Sequence, residues 1–73
     1  MSTVADTIQI QLNGEPRQIP AGWTVADLLD DLGLHPRLIV VEHNREILDR
    51  SAYGRTEVRA DDVLELVHFV GGG

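Results

Sequence analysis

The sequence ends in Gly71-Gly72-Gly73 directly after an apolar segment, and the carboxylate of Gly73 is the group with the clearest route to chemistry. Three consecutive glycines make a lead free of side chains, able to thread a narrow channel and approach another backbone closely. A carboxylate is a poor electrophile, so its chemical use requires activation. Adenylation supplies a good leaving group, and a sulfur donor attacking the activated carbonyl leaves a thiocarboxylate, a soft nucleophile suited to transfer. The ATP site has to come from a partner. Taken alone, the three glycines are better explained as a frayed end or an expression remnant.

The other reactive side chains offer less. Cysteine is absent, which removes disulfides, thiolate metal sites and a cysteine nucleophile. His35, His43 and His68 show no ligand-like spacing, so no metal site is expected. Asp30-Asp31 and Asp61-Asp62 are adjacent pairs without a partnering base; the first reads as the polar side of a helix and the second as a turn. No catalytic residue is expected. Val67 and Phe69 alternate away from Leu64 and Leu66 and form a candidate docking patch beside the tail, with His68 as a further candidate partner contact.

The elements that would carry this tail are legible in the pattern. Ile8, Ile10 and Leu12 alternate with Gln9, Gln11 and Asn13, the period of a half-buried strand. Asn13-Gly14 supplies the positive φ angles of a tight hairpin turn, and Glu15 to Ile19 returns as the second strand. Thr24 and Asp27 have capping-box spacing, and Trp23 and Leu28 occupy the positions of a hydrophobic staple. Val25, Leu28, Leu29 and Leu32 form one apolar stripe, which Gly33 ends.

Pro36 prevents helical continuation, and Leu38 to Val41 reads as a central buried strand. Asn44-Arg45 reads as a turn, Ile47-Leu48 as a short return strand, Ser51 to Gly54 as a single helical turn or loop, and Val58 as part of a short strand or edge segment. Val63 to Val70 is the last strand. The expected fold class is α+β: a mixed sheet of about four to five strands with one main helix on one face, over residues 7–70, after a flexible extension 1–6 and before a flexible tail 71–73.

A single domain of 73 residues leaves little room for a deep substrate cavity. The net charge of −6 argues against a nucleic-acid partner, whose phosphates need a cationic surface. All six basic residues are arginine, so no lysine is present for a Schiff base or an isopeptide link to this chain. No apolar run is long enough to span a bilayer and Met1 to Thr7 lacks the marks of a signal peptide, so a cytoplasmic protein, monomeric when free, is expected.

Ile10-x-Leu12-Asn13-Gly14-Glu15 and Gly22-x-Thr24-Val25-x-x-Leu28-Leu29-x-x-Leu32-Gly33 resemble the opening hairpin and helix of the thiamin-pathway sulfur carriers, the ThiS family of the ubiquitin-like β-grasp superfamily. Val41-Glu42-x-Asn44, Arg50-Ser51-x-Tyr53 and Asp62-x-Leu64-Glu65-Leu66-Val67-x-x-Val70-Gly71-Gly72-Gly73 resemble its middle and end in the same order. The resemblance covers about residues 7–73. It implies a β-grasp fold and a Gly73 that an E1-like enzyme adenylates with ATP, no cofactor being bound by the chain itself. It also implies a sulfur-donor protein as a partner, conversion of Gly73 to a thiocarboxylate, and delivery of the sulfur to thiazole synthase. Asp61 stands where the family commonly has Gly, and Asp49 where it commonly has Pro. The small subunit of molybdopterin synthase resembles the same fold and ending, and a binding module with an inert tail is the alternative from another class.

Overall fold

The computed structural model describes residues 6–68; Met1 to Ala5 and Phe69 to Gly73 lie outside them. Six elements organise the chain: β1 (Thr7–Leu12), β2 (Glu15–Pro20), α1 (Val25–Asp31), β3 (Ile39–His43), β4 (Glu46–Leu48) and β5 (Val63–His68). They form a five-stranded mixed sheet in the order β2-β1-β5-β3-β4. Only the β1–β5 pair is parallel, with Gln11 opposite Val63 and Leu12 opposite Leu64.

The first hairpin follows from its turn. Asn13 and Gly14 hold φ of 51° and 83°, the left-handed pair whose twist matches that of the flanking strands. The register then places Ile8 opposite Ile19 and Ile10 opposite Arg17. The ladder extends outward to Asp6, whose carbonyl accepts from Ala21 N at 2.9 Å. Asn44 and Arg45, at φ 51° and 73°, repeat the device between β3 and β4.

Helix α1 is specified at both ends. Thr24 Oγ1 accepts from Asp27 N at 3.2 Å, and Asp27 Oδ2 accepts from Thr24 N at 2.9 Å, which completes the capping box. At the other end Gly33 adopts φ 73°, Gly33 N donates to Asp30 O and Leu34 N to Leu29 O, satisfying carbonyls the helix leaves free. The stripe Val25, Leu28 and Leu29 is fully buried against Ile10, Ile19, Ile39, Val41 and Leu64 from the sheet, with Leu32 and Trp23 packed at its margin.

Three expectations are corrected. Leu38 does not begin the third strand: Pro36 opens a 3₁₀ turn over Pro36–Leu38, and Leu38 is left exposed. Pro is well suited to that first position because the N–H it lacks has no partner there anyway. The middle strand is β5 rather than β3, because the order places β1 and β2 on one side of β5 and β3 and β4 on the other. Val58 belongs to no strand; Glu57 makes a single bridge with Thr24, while Val58 is buried and its N–H donates to Trp23 O at 2.8 Å.

Between β4 and the Val58 segment, a 3₁₀ turn over Arg50–Ala52 seats Tyr53 in the core, where its hydroxyl donates to Ile39 O at 2.8 Å. Asp49 opens that turn by accepting from Ser51 N at 3.0 Å and from the Ser51 hydroxyl. These bonds, the hydroxyl's first, hold its carboxyl below the usual range. Arg50 crosses to donate to Pro36 O and Arg37 O at 3.2 and 3.1 Å, joining the two 3₁₀ turns. Asp61 adopts φ 70°, a conformation Asp tolerates better than most residues.

Candidate functional site

The strand that leads toward Gly73 is β5, and its two faces are unlike. Leu64 and Leu66 face α1, Leu64 fully buried and Leu66 partly so. Alternation puts Val63, Glu65 and Val67 on the face away from the helix. Val67 lies opposite Val40, Glu65 opposite Glu42, and Glu42 opposite Ile47. Val67 is 58% exposed and Ile47 is 70% exposed. The result is an open sheet face with apolar side chains on either side of two directly opposed carboxylates.

Like charges opposite one another on a sheet destabilise it, and among the described residues no cation forms an ion pair with Glu42 or Glu65. Of the candidate docking residues, Val67 is on this face. His68 is opposite Ile39, on the helix side, and there it lines an open groove with Leu12, Asn13, Leu32, Leu34 and Leu66. Phe69 and the tail glycines Gly71, Gly72 and Gly73 lie outside the described residues.

The remaining candidates separate. His35 Nδ1 accepts from Arg37 N at 3.2 Å and so caps the first 3₁₀ turn. Asp30 and Asp31 are exposed on α1, with Asp31 3.7 Å from Arg17. Among the described residues no three potential metal ligands cluster, and no helix is long and apolar enough to cross a membrane.

Asp62 corrects the reading of Asp61-Asp62 as a simple turn without a partnering base. Its Oδ2 lies 2.7 Å from His43 Nε2 and accepts from Arg59 N at 2.9 Å, while its Oδ1 accepts from Asn44 Nδ2 at 3.1 Å. Burial pushes the Asp62 carboxyl upward, but the Arg59 N–H, His43 and Asn44 outweigh it and hold the group below its ordinary value. Sequence spacing gave no signal for this pair, because the two residues meet only when β3 and β5 align.

A folded-state pKa below the unfolded one means that the cluster stabilises the protein fully above about pH 4 and loses that contribution as pH falls through the depressed pKa. Asp62→Asn is therefore expected to be less stable than wild type near neutrality by about 1–3 kcal/mol. The gap should close in acid. Denaturant melts of both proteins from about pH 7 to about pH 2 check this, and a gap that widens on acidification contradicts it.

Comparison with known proteins places this geometry. The model of the ThiS family matches residues 10–73, the end of β5 and the glycine tail included. The chain belongs to the ThiS family. The sulfur carrier protein ThiS of Bacillus subtilis is 40% identical over 65 residues, covering 88% of this chain and 98% of that protein. The crystal structure of the thiamine biosynthesis protein ThiS from Geobacter metallireducens superposes with a TM-score of 0.79 at 32% identity, covering 90% of this chain and all of that one. A thiazole synthase of Magnetococcus marinus is 44% identical over 66 residues, which are 90% of this chain and 20% of that relative. The chain thus spans about a fifth of the length of the thiazole synthases it matches. The five-stranded mixed sheet with one helix is the β-grasp fold of this family.

Proposed function

We propose that this chain is a sulfur carrier for thiazole formation in thiamin biosynthesis, acting as a protein cosubstrate through the carboxylate of Gly73. An E1-like partner supplies the ATP site. A carboxylate oxygen attacks the α-phosphorus of ATP and expels pyrophosphate. A sulfur-donor protein then delivers sulfur to the acyl carbonyl, AMP departs, and the thiocarboxylate passes its sulfur to thiazole synthase. Gly71 and Gly72 serve as the narrow lead, and the chain contributes no catalytic side chain of its own.

The observation that carries this reading is that the family match extends to residue 73 and so takes in the glycine tail. The thiazole synthases that contain a segment 44% and 42% identical to this chain support that enzyme as the acceptor. Docking falls to the open sheet face, with Glu42 and Glu65 at its centre and Val40, Val67 and Ile47 around them, while His68 and Phe69, which precede the tail in sequence, help to aim it. A partner offering Arg or Lys between apolar side chains relieves the opposed carboxylates on contact.

The test follows labelled sulfur. Chain loaded with labelled sulfur is expected to transfer it into the thiazole product of thiazole synthase. Label that instead enters molybdopterin, with the large subunit of molybdopterin synthase as acceptor, replaces this reading by the rival carrier. Chain that never takes up label, beside an activating enzyme proven on another carrier, supports the binding module with an inert tail.

A further inference from the structure

Two asparagines bond β5 in the same way, one at its first residue and one at its fourth. Asn44 Oδ1 accepts from Val63 N at 2.8 Å where the strand begins, and Asn13 Oδ1 accepts from Leu66 N at 2.7 Å where it runs toward the tail. Both sit at φ 51° in the first position of a tight hairpin turn. Turn chemistry explains why each position suits Asn, but Gly suits positive φ at least as well. The side-chain acceptor is what Gly lacks.

The bond made by Asn13 occupies a particular gap. Parallel pairing of β1 with β5 ends at Leu12 and Leu64, and Asn13 N still donates to Leu64 O at 2.9 Å. In a continuing parallel ladder the next bond would run from Leu66 N–H to the main-chain carbonyl of residue 13. The turn carries that carbonyl away, and the side-chain oxygen stands in for it. Beyond this point β3 alone pairs with β5, Val40 with Val67 and Ile39 with His68.

We infer that Asn13 is a positioning residue for the reactive tail: its side chain holds the C-terminal end of β5 in the plane of the sheet, fixing where and in which direction the chain leaves the domain for the activating enzyme. The inference rests on the carrier function proposed above. A strand end held by β3 alone still presents the docking face, but it delivers the carboxylate to ATP from a broader spread of directions. Orientation of that kind acts on the rate of the chemical step more than on binding.

Asn44→Gly is the control, since it removes the same type of bond where β5 begins, remote from the tail, together with the Asn44 donation to Asp62. In amide exchange, Asn13→Gly is expected to raise the rate at Leu66 about tenfold, the loss of roughly one hydrogen bond. In adenylation by the E1-like enzyme, it should lower kcat on the order of tenfold with KM nearly unchanged. Asn44→Gly should leave kcat near the wild-type value wherever the protein is folded. Asn13→Asp keeps an acceptor oxygen and tolerance of positive φ, so it should restore kcat.

Equal kcat for the two glycine variants under conditions where both are folded overturns the positioning role. A wild-type chain that is not adenylated removes the carrier function, and this inference with it. Should Asn13→Gly fail to fold, Asn13→Asp decides: folded but slow in adenylation, it contradicts the inference.

Discussion

Removing Gly72-Gly73 is expected to reduce thiocarboxylate formation to background while leaving the domain folded and able to bind the activating enzyme. The core is built from residues of β1, β2, α1, β3 and β5 together with Tyr53 and Val58, all of which precede the tail. The open sheet face around Val67 is equally untouched by the deletion. What is lost is the reacting carboxylate's reach. Binding measured by titration, with loading followed by mass, separates the two contributions. A truncated chain that still accepts sulfur would place the chemistry somewhere other than the terminus. A single residue added after Gly73 should have the same effect, because the new terminal carboxylate sits one residue beyond the activated position.

The largest effect on stability is expected from Leu28→Ala. Leu28 is fully buried in the stripe that joins α1 to the sheet, and truncation there removes packing and leaves a cavity, costing about 2–5 kcal/mol. A domain of 73 residues has a total stability of roughly 4–11 kcal/mol. The substitution therefore takes a large fraction of it, and the melting temperature should fall by about 8 °C or more, at roughly 4–8 °C per kcal/mol. Thermal melts followed by circular dichroism read this directly. Ile47→Ala, on the open sheet face, is the contrast: Ile47 is 70% exposed, and its loss should change stability by less than about 0.5 kcal/mol. Comparable losses for the two would mean that the sheet's helix-facing side is not the core.

Those two results address different links between sequence and function, and the sequence disclosed them unequally. Both hairpin turns and the helix were legible because their signals are local. Asn13-Gly14 sets its own backbone, Thr24 caps a helix with a partner three residues on, and Gly33 ends it. The apolar run at Leu38 misled because a run of aliphatic residues does not reveal where a strand starts. Pro36 had already committed Leu38 to the 3₁₀ turn.

Relations between distant segments were hidden. Nothing local to Val63–His68 announces that it pairs in parallel with Thr7–Leu12 and so occupies the centre of the sheet. His43 and Asp62 are 19 residues apart and become partners only through the β3–β5 register. Asn13 and Asn44 were read as turn residues, which they are, yet their side chains also bond β5, and in the case of Asn13 across 53 residues of sequence. The opposed pair Glu42 and Glu65 was likewise invisible until the strands aligned.

One measurement bears on the central claim more directly than any other: fragmentation mass spectrometry of the chain after incubation with ATP and an E1-like enzyme, and then with a sulfur source. An adenylate on Gly73, followed by replacement of one terminal oxygen by sulfur on that same residue, is the expected result. An unmodified Gly73, with the enzyme active on another carrier in the same experiment, would contradict the account and leave the open sheet face as the working part of the molecule.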